Sequence, residues 1–445
     1  MLPLFSNKKR PMHLGRFPME KIKRVDRPTT YIGPNVKPVP KRADGFVRAY
    51  KGDFGPTAER EIRRFVMKQP FNAAIGHLHW KQIPIHRGEP APEKAPLSND
   101  PAELAKHIKS MCYFLDADMI GICEMPDWAW YSHDIKGVPI PTRHKYAIVV
   151  VIDQGFDTME ASSGDDWISG AQSYRAYFKS SSVACIVADY IRRLGYAAQA
   201  HSNADGDVQQ VPLMMLAGLG ELSRIGEVIL NPFIGPRHKT AVITTDLPLA
   251  CDKPIDFNLQ NFCDKCRKCA RECPAQAIAH GPKVLYNDYE IWKPDVEKCT
   301  KYRVTNLKGS ACGRCMKMCP WNKEGLMHHR LAMWMAIKWK WTHRMLIWLD
   351  DKLGYGIRNP VKKWWFDLET KGERVVRPAG VNERDLTLDR APTKDEEKRT
   401  LHTYESLPAP VTPPRTAPDR VKGLEDRARA AEELKKLKEK MSAGA

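Results

Sequence analysis

The 445-residue chain lacks any apolar run long enough to cross a membrane. Charge-free stretches such as 147–152 and 211–220 fall far short of the roughly 18 residues that a span needs. A secretory leader is missing too: residues 1–27 are basic and dotted with proline, with no apolar segment among them. The Arg63–Arg64 pair is not an export signal, because it lies deep in the chain and no apolar run follows it. There is no secreted disulfide framework. Cys112, Cys123, Cys185 and Cys251 stand singly and read as ordinary buried thiols. A net charge of +18 raises the question of nucleic acid, yet no recognised nucleic-acid module and no helical repeat array goes with it. Much of the excess sits up to Arg48 and between Lys293 and Arg374. These absences point to a protein of the reducing cytoplasm with no nucleic-acid partner.

What the chain does have is eight further cysteines within one short span. Cys263, Cys266, Cys269 and Cys273-Pro274 spell C-x2-C-x2-C-x3-C-P, the run of bacterial two-cluster ferredoxins. Cys299, Cys312, Cys315 and Cys319-Pro320 repeat it with the first gap stretched to twelve residues. Eight thiolates suffice for two [4Fe-4S] cubanes, and in such pairs the fourth cysteine of each run ligates the other cluster. The expected ligand sets are therefore Cys263, Cys266, Cys269 and Cys319 for one cluster, and Cys273, Cys299, Cys312 and Cys315 for the other. CxxC pairs also hold structural zinc, but two runs that both end in x3-C-P would make an odd zinc ribbon.

At this length the chain exceeds one ordinary domain. Residues 1–100 read as a basic, proline-rich N-terminal arm with one short helix near 58–67, and 83–101 as a linker or surface loop. Residues 101–250 form the core. A helix begins at the cap Asn99-Asp100-Pro101, and strands follow at 118–123, 146–152, 196–200, 228–230 and 239–245. The unbroken β-branched run 146–152 has the character of a buried central strand. Tyr177, Val183, Val187, Tyr190 and Ile191 recur at near-helical spacing in a long helix over 173–194, stopped by Gly195. A shorter helix spans 213–220. Helices and strands alternate without a regular βαβ period, so the fold class is α/β (α+β) around one main sheet. Residues 251–330 carry the clusters. Residues 331–375 are rich in tryptophan: one amphipathic helix over 331–349 presents Trp334, Ile337, Trp341, Met345 and Trp348 on one face, laid over the core. The same tryptophan and lysine stripe also suits peripheral contact with a membrane. Residues 376–445 form a charged tail whose helix, 421–441, is solvated or meets a partner.

The cluster pair, following a helix–strand core that ends in Thr245-Asp246-Leu247-Pro248-Leu249, resembles the corrinoid-dependent reductive dehalogenases over roughly residues 117–365. Epoxyqueuosine reductases share the general plan. The resemblance implies a nitroreductase-like sheet that holds a base-off corrinoid (cobalamin), with a ferredoxin-type domain beside it. The chain contains no Asp-x-His-x-x-Gly motif, in agreement with a family whose lower axial position is not filled by a protein histidine. Its segment 218–226 is similar to the family's glycine-rich stretch beside the corrinoid. This places Gly220 and Ser223 in the corrinoid pocket, together with Ser173, which shares a helix face with Tyr177. Three residues match the family's catalytic pattern: Tyr177 on the long helix, Lys239 at the start of the last core strand, and Arg303 in the gap between Cys299 and Cys312. In phenol-type members the matching Tyr, Lys and Arg line the substrate pocket above cobalt. Lys239 places the chain nearer that branch than the chloroalkene branch.

Reductive removal of halide takes two electrons and one proton. The resemblance implies that the two clusters pass single electrons to the corrinoid, whose Co(I) state is a strong reductant. A dry pocket then needs a positioned acid. Tyrosine has a reference pKa of about 10, and an ammonium beside it favours the phenolate and eases proton release; Lys239 is the candidate for that charge. Arg303, held between two ligands of one cluster, offers a planar fork to a phenolate or carboxylate. Tyr174 is a rival acid, only about 60° around the helix from Tyr177; the family pattern selects Tyr177. The expected activity is dehalogenation of a halogenated phenol or hydroxybenzoate. A separate reductase or ferredoxin would supply the electrons, since no flavin or plant-type ferredoxin domain follows the core. Two other readings stand beside it: an epoxyqueuosine-type reductase acting on tRNA, and a non-catalytic electron-transfer subunit. The large core before Cys263 argues against the subunit.

Overall fold

The structure, a computed structural model, describes residues 10–381, 409–411 and 419–443. Where an N-terminal arm is expected, the chain instead folds against the rest of the molecule. Asp44 caps helix α1 (Gly45–Tyr50) by accepting from the amides of Phe46 and Val47 at 2.9 and 3.1 Å. α2 (Pro56–Arg64) and α3 (Pro70–Trp80) follow, each opened by a proline in its first turn. Arg42 forks onto Asp53 at 2.9 and 2.6 Å in the interior. Ala49, Phe54, Ala58 and Phe65 share a small core with Val304 and Ala311 from the cluster segment. These helices are short, so their order comes from tertiary partners rather than from periodicity.

α4 (Pro101–Phe114) begins as expected, with the Asp100 carboxylate accepting from Ala102 N at 2.8 Å. The core continues through β1 (Met119–Glu124), β2 (Tyr146–Asp153), α5 (Phe156–Ala161), α6 (Ser169–Arg193), β3 (Ala198–His201) and α7 (Gln210–Leu216). It closes with β4 (Glu221–Ser223), β5 (Gly226–Leu230) and β6 (His238–Thr245). The main sheet runs β1-β2-β6-β3 with every pair antiparallel, which makes the fold α+β. Along β2, Ala147, Val149 and Val151 enter one core, whereas Ile148, Val150 and Ile152 enter the other with α6. Both faces are covered, which explains the unbroken apolar run. Gly195 ends α6 with a φ of 81°.

The cluster segment holds α8 (Leu259–Lys265), α9 (Lys268–Arg271), β7 (Val284–Tyr286), β8 (Tyr289–Ile291), α10 (Val296–Thr305) and α11 (Arg314–Lys317). The single helix expected over 331–349 is two: α12 (Met327–Lys338) and α13 (His343–Lys352), broken where Trp339 turns extended at φ −131° and ψ 101°. The expected face divides accordingly. Ile337 packs inward with Met333, Ala336, Leu346 and Ile347, while Trp334, Trp341, Met345 and Trp348 point outward. The tail helix α14 (Arg420–Ala443) is not free in solvent either. Gly423, Arg427, Ala430 and Leu434 form its buried stripe, and Arg427 donates to Lys293 O at 3.0 Å. That stripe is mostly small or polar, so the sequence hides it. The rest of the expected tail, 382–408 and 412–418, lies outside the described residues. No helix among the described residues is long and apolar enough to cross a membrane.

Candidate active site and cluster cysteines

The eight cysteines come together as two quartets. The Cys269 thiol lies within electrostatic reach of Cys266, Cys263 and Cys319; Cys315 is within reach of Cys273 and Cys299, and Cys312 of Cys315 and Cys273. These are the two sets that the swapped fourth cysteine produces. Burial pushes the Cys263 and Cys315 thiols up to about 12, and those of Cys266 and Cys299 up to about 11. A metal that binds these thiols must replace their protons. No three His, Cys, Asp or Glu side chains among the described residues group so as to hold a single metal ion. Thiols spread over the corners of a cubane stand farther apart than the ligands of one tetrahedral zinc.

Beside the second quartet opens a cavity of about 1230 Å³. Tyr177, Lys239, Arg303 and Ser173 all line it, so α6, β6 and α10 bring three widely separated segments to one space. The Lys239 ammonium sits 5.1 Å from the centre of the Tyr177 ring. The Arg303 guanidinium lies 4.6 Å over Phe46, and its Nε is buried without a hydrogen-bond partner. Both cations are within electrostatic reach of Cys315, so the second quartet abuts the cavity wall. Ser173 Oγ accepts from Gln154 Nε2 at 3.2 Å. Tyr174 lines the same cavity, its ring edge-on to Tyr177 at 6.0 Å. Burial, then the Tyr177 hydroxyl, pushes the Tyr174 hydroxyl above the ordinary tyrosine range.

Gly220 and Ser223 are corrections. Neither lines the cavity. They lie at the β4–β5 hairpin, where a side chain on Gly220 would meet Leu230 O at 2.2 Å and Ser223 Oγ donates to Val228 O at 2.8 Å. The glycine-rich stretch instead serves the first quartet. Its Arg224, buried over the Trp292 ring, donates to the carbonyls of Cys263 (2.6 Å), Ala279 (3.0 Å), Gly281 (3.0 Å) and Asp264 (3.2 Å). Sequence reasoning also missed His79, a fully buried residue of α3 whose ring stacks on Tyr177 at 6.4 Å and 14°. Its Nε2 has no hydrogen-bond partner, and burial lowers its basicity, so it backs the tyrosine as a neutral ring. The run from Asn72 to His79, Asn-Ala-Ala-Ile-Gly-His-Leu-His, gives no hint of that contact.

The corrinoid that the resemblance implies needs more room than an ordinary ligand pocket of about 300–1,000 Å³, and the cavity exceeds that range. Two orphaned polar atoms on its wall, Tyr289 hydroxyl and Arg303 Nε, await partners. The residues therefore fit a bulky, amide-rich group.

Two thiol quartets, the second of them beside such a cavity, are the donor set of an iron–sulfur protein. A family model for a 4Fe-4S dicluster domain matches residues 262–323. The solved catabolic reductive dehalogenase NpRdhA, in complex with 3-bromo-4-hydroxybenzoic acid, is 47% identical, covering 97% of this chain and 64% of that one with a TM-score of 0.91. A second solved structure, of a reductive dehalogenase with B12-dependent dehalogenation, is 47% identical over 98% of this chain and 64% of its own, with a TM-score of 0.92. The tetrachloroethene reductive dehalogenase of Desulfitobacterium hafniense is 35% identical over 268 residues, 55% of this chain and 46% of its own. The chain belongs to the reductive dehalogenase family. It spans about half the length of that curated relative and about two thirds of the solved ones.

Proposed function

We infer that the protein carries two [4Fe-4S] clusters and a corrinoid, and removes halide reductively from a halogenated aromatic bearing a phenol or carboxylate. The observation that carries this reading is the convergence of Tyr177, Lys239 and Arg303 in one cavity whose wall abuts the second thiol quartet. When bound, the corrinoid supplies a strongly reducing cobalt able to cleave a carbon–halogen bond. Tyr131, Leu222, Val228 and Tyr289 on the cavity wall would hold it. The balance is one carbon–halogen bond, two electrons and one proton in; one carbon–hydrogen bond and a halide ion out.

The chain's own part is acid catalysis and orientation. Tyr177 gives the proton from its hydroxyl, Lys239 steadies the resulting phenolate, and His79 fixes the ring from behind. Arg303 holds the anionic group of the substrate through a charge-assisted fork. The likeness to a dehalogenase solved with a bromohydroxybenzoate supports an aromatic substrate, since it covers nearly the whole chain. Cubanes on eight thiolates suit the reducing cytoplasm.

The test is anaerobic reconstitution with iron, sulfide and cobalamin, reduction by titanium(III) citrate, and assay of halide. Bromide release from 3-bromo-4-hydroxybenzoate, with little chloride from tetrachloroethene, is the expected result. Silence on brominated phenols from protein with full iron and cobalt would overturn the reading.

A further inference from the structure

Electrons must enter where a donor can reach the first quartet, and the surface there has an unusual make-up. Helix α13 packs directly on the loop that carries Cys266 and Cys269. Lys268, between those two cysteines, pairs with Asp350 at 2.5 Å and Asp351 at 3.0 Å, and Arg271 forks onto Asp351 at 3.0 Å to each oxygen. His343 faces Phe262 of α8 edge-on at 5.2 Å. The outer face of α13 is therefore separated from the quartet loop by one helix thickness, about 10 Å.

That outer face is both aromatic and basic. Trp341 and Trp348 are 72% and 57% exposed. Trp334, Trp339 and Trp341 form a continuous ladder, with ring centres 4.6 and 6.1 Å apart. Arg344, Trp348 and Lys352 follow one another at i, i+4 on the solvent side, so they present one stripe. Lys338, Lys340 and Arg267 are exposed beside it, and Lys265 donates to Lys340 O at 3.0 Å. Of the acids on the same elements, Asp350 and Asp351 turn inward onto Lys268 and Arg271, while Asp264 stays exposed. Clustered exposed tryptophans with arginine beside them match the composition of a recognition surface, and the lysines add positive charge that steers an acidic partner.

We propose that this face of the α12–α13 hairpin docks a small acidic one-electron carrier of the ferredoxin class, which delivers electrons to the first quartet. The inference rests on the reading that the quartets hold redox clusters. One electron leaves the carrier and enters the cluster; no bond or proton moves. Cationic side chains steer an acidic partner and set its approach rate, and the tryptophans supply the desolvated contact.

The experiment compares two reductants on the reconstituted holoprotein, reading the bleaching of cluster absorbance rather than halide. An acidic bacterial ferredoxin, pre-reduced, is one; titanium(III) citrate is the other. Charge reversal in Lys340→Glu/Arg344→Glu should slow ferredoxin-driven bleaching about ten-fold at low salt and leave the titanium-driven rate unchanged. The swap Lys340→Arg/Arg344→Lys should keep both rates, and added salt should slow the ferredoxin rate of the natural protein. Equal rates with ferredoxin in both forms, or equal losses with both reductants, would overturn the proposal. So would binding to phosphatidylglycerol vesicles, or self-association in sedimentation, that the charge reversal abolishes while the ferredoxin rate stays intact. Bleaching precedes any turnover, so failure of halide release leaves this result standing and the two readings fail separately.

Discussion

The two quartets are near copies in sequence, yet their surroundings differ. The first is walled in by structure: Arg224 donates to five carbonyls around its loop, Lys268 and Arg271 bind Asp350 and Asp351, and α13 covers it. The second feels two cavity cations, Arg303 and Lys239, through Cys315. On the proposed function, the cluster beside the open, cationic cavity would hand electrons on and the one beneath α13 would receive them. Ligand spacing alone gives no such order.

The sharpest way to break this contrast is to remove one ligand at a time. Cys315→Ser should lower halide release at least about a thousand-fold and bound iron from about eight to about four per chain. Cys266→Ser should cost less with titanium(III) citrate, about ten-fold, because a small reductant feeds the second cluster directly. Equal losses in the titanium assay would mean that the asymmetry has no functional weight. Next in size is the cavity acid. Tyr177→Phe should slow halide release about 100- to 10,000-fold while Tyr174→Phe stays within about threefold, with iron and cobalt content unchanged in both. A large effect at Tyr174 instead would reassign the proton. Arg303→Lys should lower kcat/KM for a hydroxybenzoate about 10- to 100-fold, mainly through KM, because a point charge replaces a planar fork. A neutral halogenated arene should feel little of that change, and an equal loss on both substrates would show that Arg303 tunes the cluster rather than the substrate.

What the sequence revealed and what it hid follow the range of the forces involved. Cysteine ligands at fixed short gaps, the β-branched run of β2 and the long periodic α6 are local patterns, and each is legible. Tyr177, Lys239 and Arg303, which line one cavity, are singled out through resemblance, since nothing in their own neighbourhoods marks them. Arg224 looks like an interruption in a glycine-rich stretch; its role depends on carbonyls about forty to sixty residues away. The helix expected near 58–67 is there as α2, whereas His79, α1 and α3 depend likewise on partners far along the chain. Gly220 and Ser223 misled because a glycine pattern fits a tight hairpin as readily as a cofactor cradle.

The smallest effect expected is at the tail helix, which straps the half of the molecule that holds the first quartet. Leu434→Ala removes a buried side chain between α14 and the cluster segment and should cost about 2–3 kcal/mol in denaturant unfolding. Lys438→Ala, one turn further on, should cost less than about 1 kcal/mol. The Lys438 side chain is 56% exposed, and its partner Glu290 is buried. Loss of an ion partner from a buried carboxylate is ordinarily expensive, but Glu290 keeps Lys283 at 3.3 Å, so no charge is stranded. A loss at Lys438 as large as that at Leu434 would mean that the strap is held by charge, and that salt would release it from the cluster segment.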